Sequence, residues 1–161
     1  MSLKCQICEY ESLLDKQIFS SNDEDLLSKT RYLEAYVKYL KIVKLAEAKE
    51  YRERLGNSGR IRDLIKDCLN DMQMALETKY GKRIRPDRAR NPSWDNWMHE
   101  VAELRNQAIH KMTVFKIEAG TGKYSLREEM GGRVTETNKE AIPYLKEALE
   151  KIKLRLGITE I

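Results

Sequence analysis

With 161 residues, the chain is one domain by length, long enough to bury about two-thirds of its unfolded surface, so it needs neither a disulfide nor a structural metal to fold. Charged residues at 35%, apolar residues at 41% and only 8 Gly and 3 Pro exclude a disordered or collagen-like chain and point to a helical soluble protein. The net charge of +4 favours an anionic partner without naming one.

From the N-terminus, Leu3, Ile7, Tyr10, Leu14 and Ile18 follow helical spacing. Lys4, Glu9, Glu11, Asp15 and Lys16 interrupt the apolar core that a signal peptide needs, and no membrane-spanning run follows, so the expectation is a cytoplasmic protein. An odd cysteine count of three fits a reducing compartment. Cys5 and Cys8 form C-Q-I-C, yet a zinc site lacks its other two ligands and a redox motif lacks its βαβ setting, so they are expected to be small apolar residues of the first helix. Neither metal nor cofactor is expected.

Ser21-x-x-Glu24 is a capping box that opens a long second helix, running to about Leu55 with Leu33, Tyr36, Val37, Leu40 and Val43 on one face. Gly56-Asn57-Ser58-Gly59 ends it. The third helix has the cleanest amphipathic pattern, Ile61, Leu64, Ile65, Cys68, Leu69, Met72, Ala75, Leu76 and Tyr80, and stops at Gly81. Residues 81 to 92 break the pattern, and Asn91-Pro92-Ser93 starts a fourth helix over 94–112. Thr113–Glu118 and Lys123–Arg127 around Ala119-Gly120-Thr121-Gly122 predict a small hairpin, inserted at about 113–128. Gly120-Thr121-Gly122-Lys123 lacks the spacing and the following helix of a phosphate loop, and reads as the hairpin turn. The last helix turns Ile142, Leu145, Leu149, Ile152 and Leu156 inward, but its start is ambiguous between a capping box, Thr137-x-x-Glu140, and a first turn holding Pro143. The expected fold is all-α, an antiparallel bundle of about five helices with the small inserted β-hairpin, as a single domain over 1–161.

The fourth helix carries the residues that a core helix does not need. At about 100° per residue, Trp94, Trp97, Met98, Val101, Leu104, Ala108 and Met112 fall within about 60° of Val101 and define its core stripe. His99, Glu103, Asn106 and His110 cluster on the opposite side, a stripe of polar, proton-handling side chains. Arg105 falls about 40° from Val101, on the buried side, where a guanidinium must find an anion or carbonyls. A solvent-facing helix has no reason for that arginine unless both faces are covered, one by the chain's own core and one by a second subunit.

Arg105 to His110, R-N-Q-A-I-H, resembles the R-N-x-x-x-H form of the R-x4-6-H signature of the HEPN superfamily. The resemblance covers the bundle as architecture and Arg105, Asn106 and His110 as residues. It implies a compact helical domain, often homodimeric, and a metal-independent endoribonuclease of toxin–antitoxin or phage-defence systems with Arg105, Asn106 and His110 as its catalytic residues. An antitoxin protein is then a possible partner. Some members continue the motif as H-x-Y, with the tyrosine modified by a partner; His110-Lys111-Met112 departs from that and speaks against such regulation. The chemistry suits the residue types. RNA supplies its own 2′-OH nucleophile, so cleavage needs a base, an acid and positive charge on the phosphate, roles open to His110 and Arg105. One His110 cannot be base and acid at once, but two copies across a two-fold axis can divide the work. Asn106, one turn before His110, could orient the imidazole or bind phosphate.

Lys79, Lys82, Arg83, Arg85, Arg88 and Arg90 lie in twelve residues with only Asp87 opposed, just before the motif helix. On its own the run reads equally as a solvated linker; with the motif it reads as an RNA-binding segment. The alternative to the enzyme is a non-catalytic HEPN-like module that binds nucleotide or RNA, or a dimeric interaction module.

Overall fold

The third predicted helix is the one the rest of the protein packs around. The computed structural model describes residues 5, 7–9, 11–12, 24–47, 58–81, 84, 95–110, 115–117, 124–130 and 133–158. They form helices α1 (Glu24–Glu47), α2 (Ser58–Tyr80), α3 (Asn96–His110) and α4 (Ala141–Leu156), with strands β1 (Phe115–Ile117), β2 (Tyr124–Met130) and β3 (Arg133–Glu140) between α3 and α4. Residues 5, 7–9 and 11–12 are also helical, and Glu11 pairs with Lys41 of α1 at 2.8 Å. The chain is a helical bundle, and among the described residues no helix is long and apolar enough to cross a membrane.

The periodicity of α2 is used along most of the helix, although Leu64 is half-buried and Tyr80 is exposed. Ile61, Ile65, Cys68, Leu69, Met72, Ala75 and Leu76 have no exposed surface. This stripe packs against α1, α3 and α4, and the helix ends at Gly81 with φ +64°, a left-handed conformation that glycine adopts without strain. Helix α1 departs from the expected single apolar face. Besides Leu33, Val37 and Leu40 it fully buries Ala35 and Ile42, which lie about half a circle around the axis from Leu33. It is therefore covered on opposite sides, by α2 and by α4 among others. The Ser21–Glu24 capping box and the Gly56–Gly59 stop involve residues outside those described.

Two corrections concern the region after α3. The expected two-stranded hairpin is not an isolated element: β1 and β2 pair within a three-stranded antiparallel sheet in the order β1-β2-β3, which extends the insertion past residue 128. Phe115 pairs with Leu126 and Ile117 with Tyr124, while Met130 pairs with Arg133 on the far side of β2. The two residues between Met130 and Arg133 in sequence are Gly131 and Gly132, the kind of pair that two-residue hairpin loops favour. The Thr137–Glu140 capping box is also absent, because Thr137 belongs to β3. Glu140 ends the strand, pairs with Ser125, and serves as the N-cap of α4 with extended backbone and no capping side-chain bond. Pro143 sits in the first turn, where a helix leaves its N–H groups unbonded anyway.

Cys5 and Cys8 lie in helical residues, as expected, and are exposed, and all three cysteines are free thiols. Among the described residues no cluster of His, Cys, Asp or Glu could hold a metal ion. Cys68 donates from Sγ to the carbonyl of Ala35 at 3.3 Å, and burial pushes its thiol well above the ordinary range, so it is a packing residue and not a nucleophile.

Next to it, Asp71 is 6% exposed and pairs with the part-exposed Lys38 of α1. Burial raises the Asp71 pKa more than Lys38 lowers it. The folded state then holds this proton to higher pH than the unfolded chain, so Asp71 makes stability fall as pH rises from about 4 through its raised folded value. Asp71→Asn should gain stability relative to the native chain as pH rises above about 4, read by urea unfolding at a series of pH values. A difference independent of pH would contradict burial as the dominant influence on this carboxyl.

Candidate functional site

Helix α3 is held at two places. At its N-terminal end the Asp95 carbonyl accepts from the N–H groups of Met98 at 3.0 Å and His99 at 3.3 Å. Asp95 also accepts from Trp97 Nε1 at 3.2 Å and forms an ion pair with Arg155 of α4. Arg155 hydrogen-bonds to Tyr80 as well, and this bond, ahead of the Asp95 charge, raises its pKa. One guanidinium thus meets the end of α2 and the start of α3. The helix accordingly begins at Asn96 and not at residue 94; Trp94 lies outside the described residues.

Farther along, Met98, Val101 and Leu104 are buried as the wheel requires, and Trp97 is half-buried against the same core. Arg105 is half-buried and donates from Nε to Asn70 Oδ1 of α2 at 3.0 Å. The expectation that a guanidinium on the core side must find an oxygen is met by an uncharged amide. Because Nε is the donor, the bond fixes the plane of the guanidinium while its terminal amino groups meet no polar partner among the described residues.

Asn70 is the first of three polar residues on α2, with Gln73 and Glu77, at a spacing that puts them on one side of the helix. Gln73 Nε2 donates to Glu77 Oε1 at 2.9 Å and to the Ile84 carbonyl at 3.4 Å, and the Ile84 N–H donates to the same Glu77 oxygen at 2.9 Å. Ile84 is 2% exposed. Both backbone groups of this residue are therefore taken by one clamp, and its side chain is in the core. Ile84 is the aliphatic residue among Lys82, Arg83 and Arg85, so the row that orients Arg105 also anchors the start of the basic segment. The two anchors are about 10 Å apart along α2. Sequence reasoning missed all three row residues and Ile84. The available signal was a line of hydrogen-bonding side chains flanking the driest stripe of the chain.

Of the predicted catalytic residues, Arg105 and Asn106 are neighbours on α3, Asn106 half-buried. His110 is the last helical residue of α3, but its side chain lies outside those described, as do Lys82, Arg83, Arg85, Arg88 and Arg90. The structure therefore brings Arg105 beside Asn106 and says nothing of the His110 imidazole. The polar stripe needs correction at His99. Its Nε2 is buried, with no hydrogen-bond partner among the described residues, and Ala102 on the same flank is 1% exposed. Coverage of α3 extends beyond the predicted stripe toward this flank, so His99 is not part of an open outward face.

Comparison with protein families, with characterised proteins and with solved structures finds no match to this chain.

Asn70→Ala should release Arg105 without unfolding the bundle. The measurement is the Arg105 Nε–H resonance in proton–nitrogen NMR: slow solvent exchange in the native chain, fast exchange in the variant, with a stability loss of about 1 kcal/mol. Equal exchange in both would mean that the amide does not hold the guanidinium.

Proposed function

We propose that the chain is a metal-independent endoribonuclease of the HEPN type, acting as a cytoplasmic homodimer in a toxin or phage-defence role. The observation that carries this reading is the guanidinium of Arg105, on the R-N-x-x-x-H segment of α3, oriented through Nε by Asn70 with its terminal donors left for another oxygen. A planar fork held in this way suits a phosphate better than a freely rotating lysine does. The clamp on Ile84 supports the reading further, since it ties the sequence neighbours of Arg83 and Arg85 to the same side of α2.

In the proposed reaction the 2′-OH of the RNA attacks the adjacent phosphorus and the P–O5′ bond breaks, giving a 2′,3′-cyclic phosphate and a 5′-OH. One His110 accepts the 2′-OH proton, and its counterpart in a second copy protonates the leaving oxygen. Arg105 stabilises the crowded, more highly charged phosphate of the transition state, and Asn106 orients the imidazole or a phosphate oxygen. Lys82, Arg83, Arg85, Arg88 and Arg90 supply sequence-independent phosphate contacts. A protein antitoxin is a possible partner of such a toxin.

A second reading, a non-catalytic HEPN-like module for nucleotide or RNA binding or for dimeric interaction, is favoured by the same bond seen differently. Arg105 is half-buried and gives one donor to its own fold, which is how a structural arginine behaves.

Incubation with total RNA in EDTA separates the two. Cleavage should proceed without metal, and His110→Ala and Arg105→Ala should each lower it by about 10²- to 10⁴-fold, with products ending in cyclic phosphate. Cleavage that survives His110→Ala, or that needs added Mg²⁺, overturns the enzyme reading. Light scattering after gel filtration should give twice the mass of the chain, and a monomer at micromolar concentration would remove the divided-histidine mechanism.

A further inference from the structure

Cys5 and Cys8 are exposed thiols three positions apart in helical residues, and Ile7 between them is 8% exposed and belongs to the hydrophobic core. Side chains at this spacing are neighbours on one side of a helix, with Cβ atoms about 5–6 Å apart. A disulfide needs Cβ atoms about 3.8 Å apart. The pair is therefore close enough to react, but it cannot close without moving the backbone of the turn that carries Ile7.

Two attachments resist that movement. Ile7 is seated in the core, and one turn later Glu11 pairs with Lys41 of α1 at 2.8 Å. The two ionic side chains are 46% and 42% exposed, so their pair adds little and the seat of Ile7 is the main restraint. Access and a neighbouring thiol that can resolve a first oxidation are what separate a redox-responsive cysteine from a packing one. Cys68, buried with its Sγ bonded to the Ala35 carbonyl, lacks the access.

We propose that Cys5 and Cys8 form a redox-responsive pair that low-molecular-weight disulfides oxidise, and that closure of the Cys5–Cys8 bond loosens Ile7 from the core. One cysteine, as thiolate, attacks a sulfur of the small disulfide; a mixed disulfide forms and one small thiolate leaves. The other cysteine, as thiolate, attacks the protein sulfur of that mixed disulfide; the intramolecular S–S bond forms and the second small thiolate leaves. Two protein thiols are oxidised, one small disulfide is reduced to two thiols, and the protons given up by the cysteines end on those thiols. Closure and docking oppose one another, so the factor by which the seat of Ile7 disfavours the bond is the factor by which the bond disfavours the seat. A bond closed against such strain is easily reduced, so the pair stays a dithiol in a reducing environment and closes when the environment becomes more oxidising.

The test takes the full chain through a series of reduced-to-oxidised glutathione ratios. Alkylation of the folded protein followed by intact-mass measurement should find Cys5 and Cys8 reactive at the reducing end, neither at the oxidising end, and Cys68 protected throughout. The oxidised chain should be lighter by its two thiol hydrogens and carry no glutathione, whereas Cys8→Ser should stop at the mixed disulfide on Cys5. In proton–carbon NMR the Ile7 methyl signals should move on closure. Ile7→Ala, which removes most of the seated side chain, should favour closure by about tenfold at a given glutathione ratio, with Ile7→Val shifting it less in the same direction. A glutathione adduct that persists on the native chain, a disulfide between two chains, Ile7 signals unmoved by oxidation, or a closure ratio unchanged in Ile7→Ala would each overturn the proposal.

Discussion

Helix α2 has a stripe with no exposed surface, and any polar side chain at its margin must be satisfied from within the protein. Asn70, Gln73 and Glu77 stand at that margin. Asn70 meets its requirement through the guanidinium of α3, and Gln73 with Glu77 through the backbone of Ile84. Dry packing thereby does more than hold helices together: it decides which groups of neighbouring elements are fixed in orientation. The agreement is incomplete at Gln73 Oε1, which is buried without a partner among the described residues.

The same division between dry and polar contacts explains what could be read from the sequence. Most of the stripe of α2 was legible, since a helix covered mainly on one side displays its burial as a period, although Tyr80 at its end is exposed. Helix α1 was legible as a helix but not in its packing, because burying both Leu33 and Ala35 with Ile42 erases the contrast between faces. The third strand was misread for a different reason. Arg133–Glu140 contains a local helix-start pattern in Thr137 and Glu140, and its pairing with the preceding strand, Ser125–Met130, overrides that pattern and makes it a strand.

At the candidate site, the helical wheel was enough to put Arg105 on the buried side of α3 and to demand an oxygen for it. It could not supply the oxygen, since Asn70 is 35 residues earlier on another helix. It also misjudged His99, whose position opposite Val101 suggested an open face although its Nε2 is buried. A wheel describes one helix by itself, and coverage by neighbouring elements is information that it does not hold.

The passage from β3 into α4 has a further consequence, for how such a chain can change over generations. Glu140 is at once the last paired residue of the strand and the cap of the helix, with no loop between them. Inserting or deleting one residue here would either turn every following side chain of α4 by about 100° or, if the helix kept its place, move the strand's residues to the opposite face of the sheet. In the first case Leu145, Leu149 and Ile152 would leave the core together. Substitution at this junction can be absorbed one side chain at a time, whereas a change of length cannot, so variation in length belongs elsewhere in the chain.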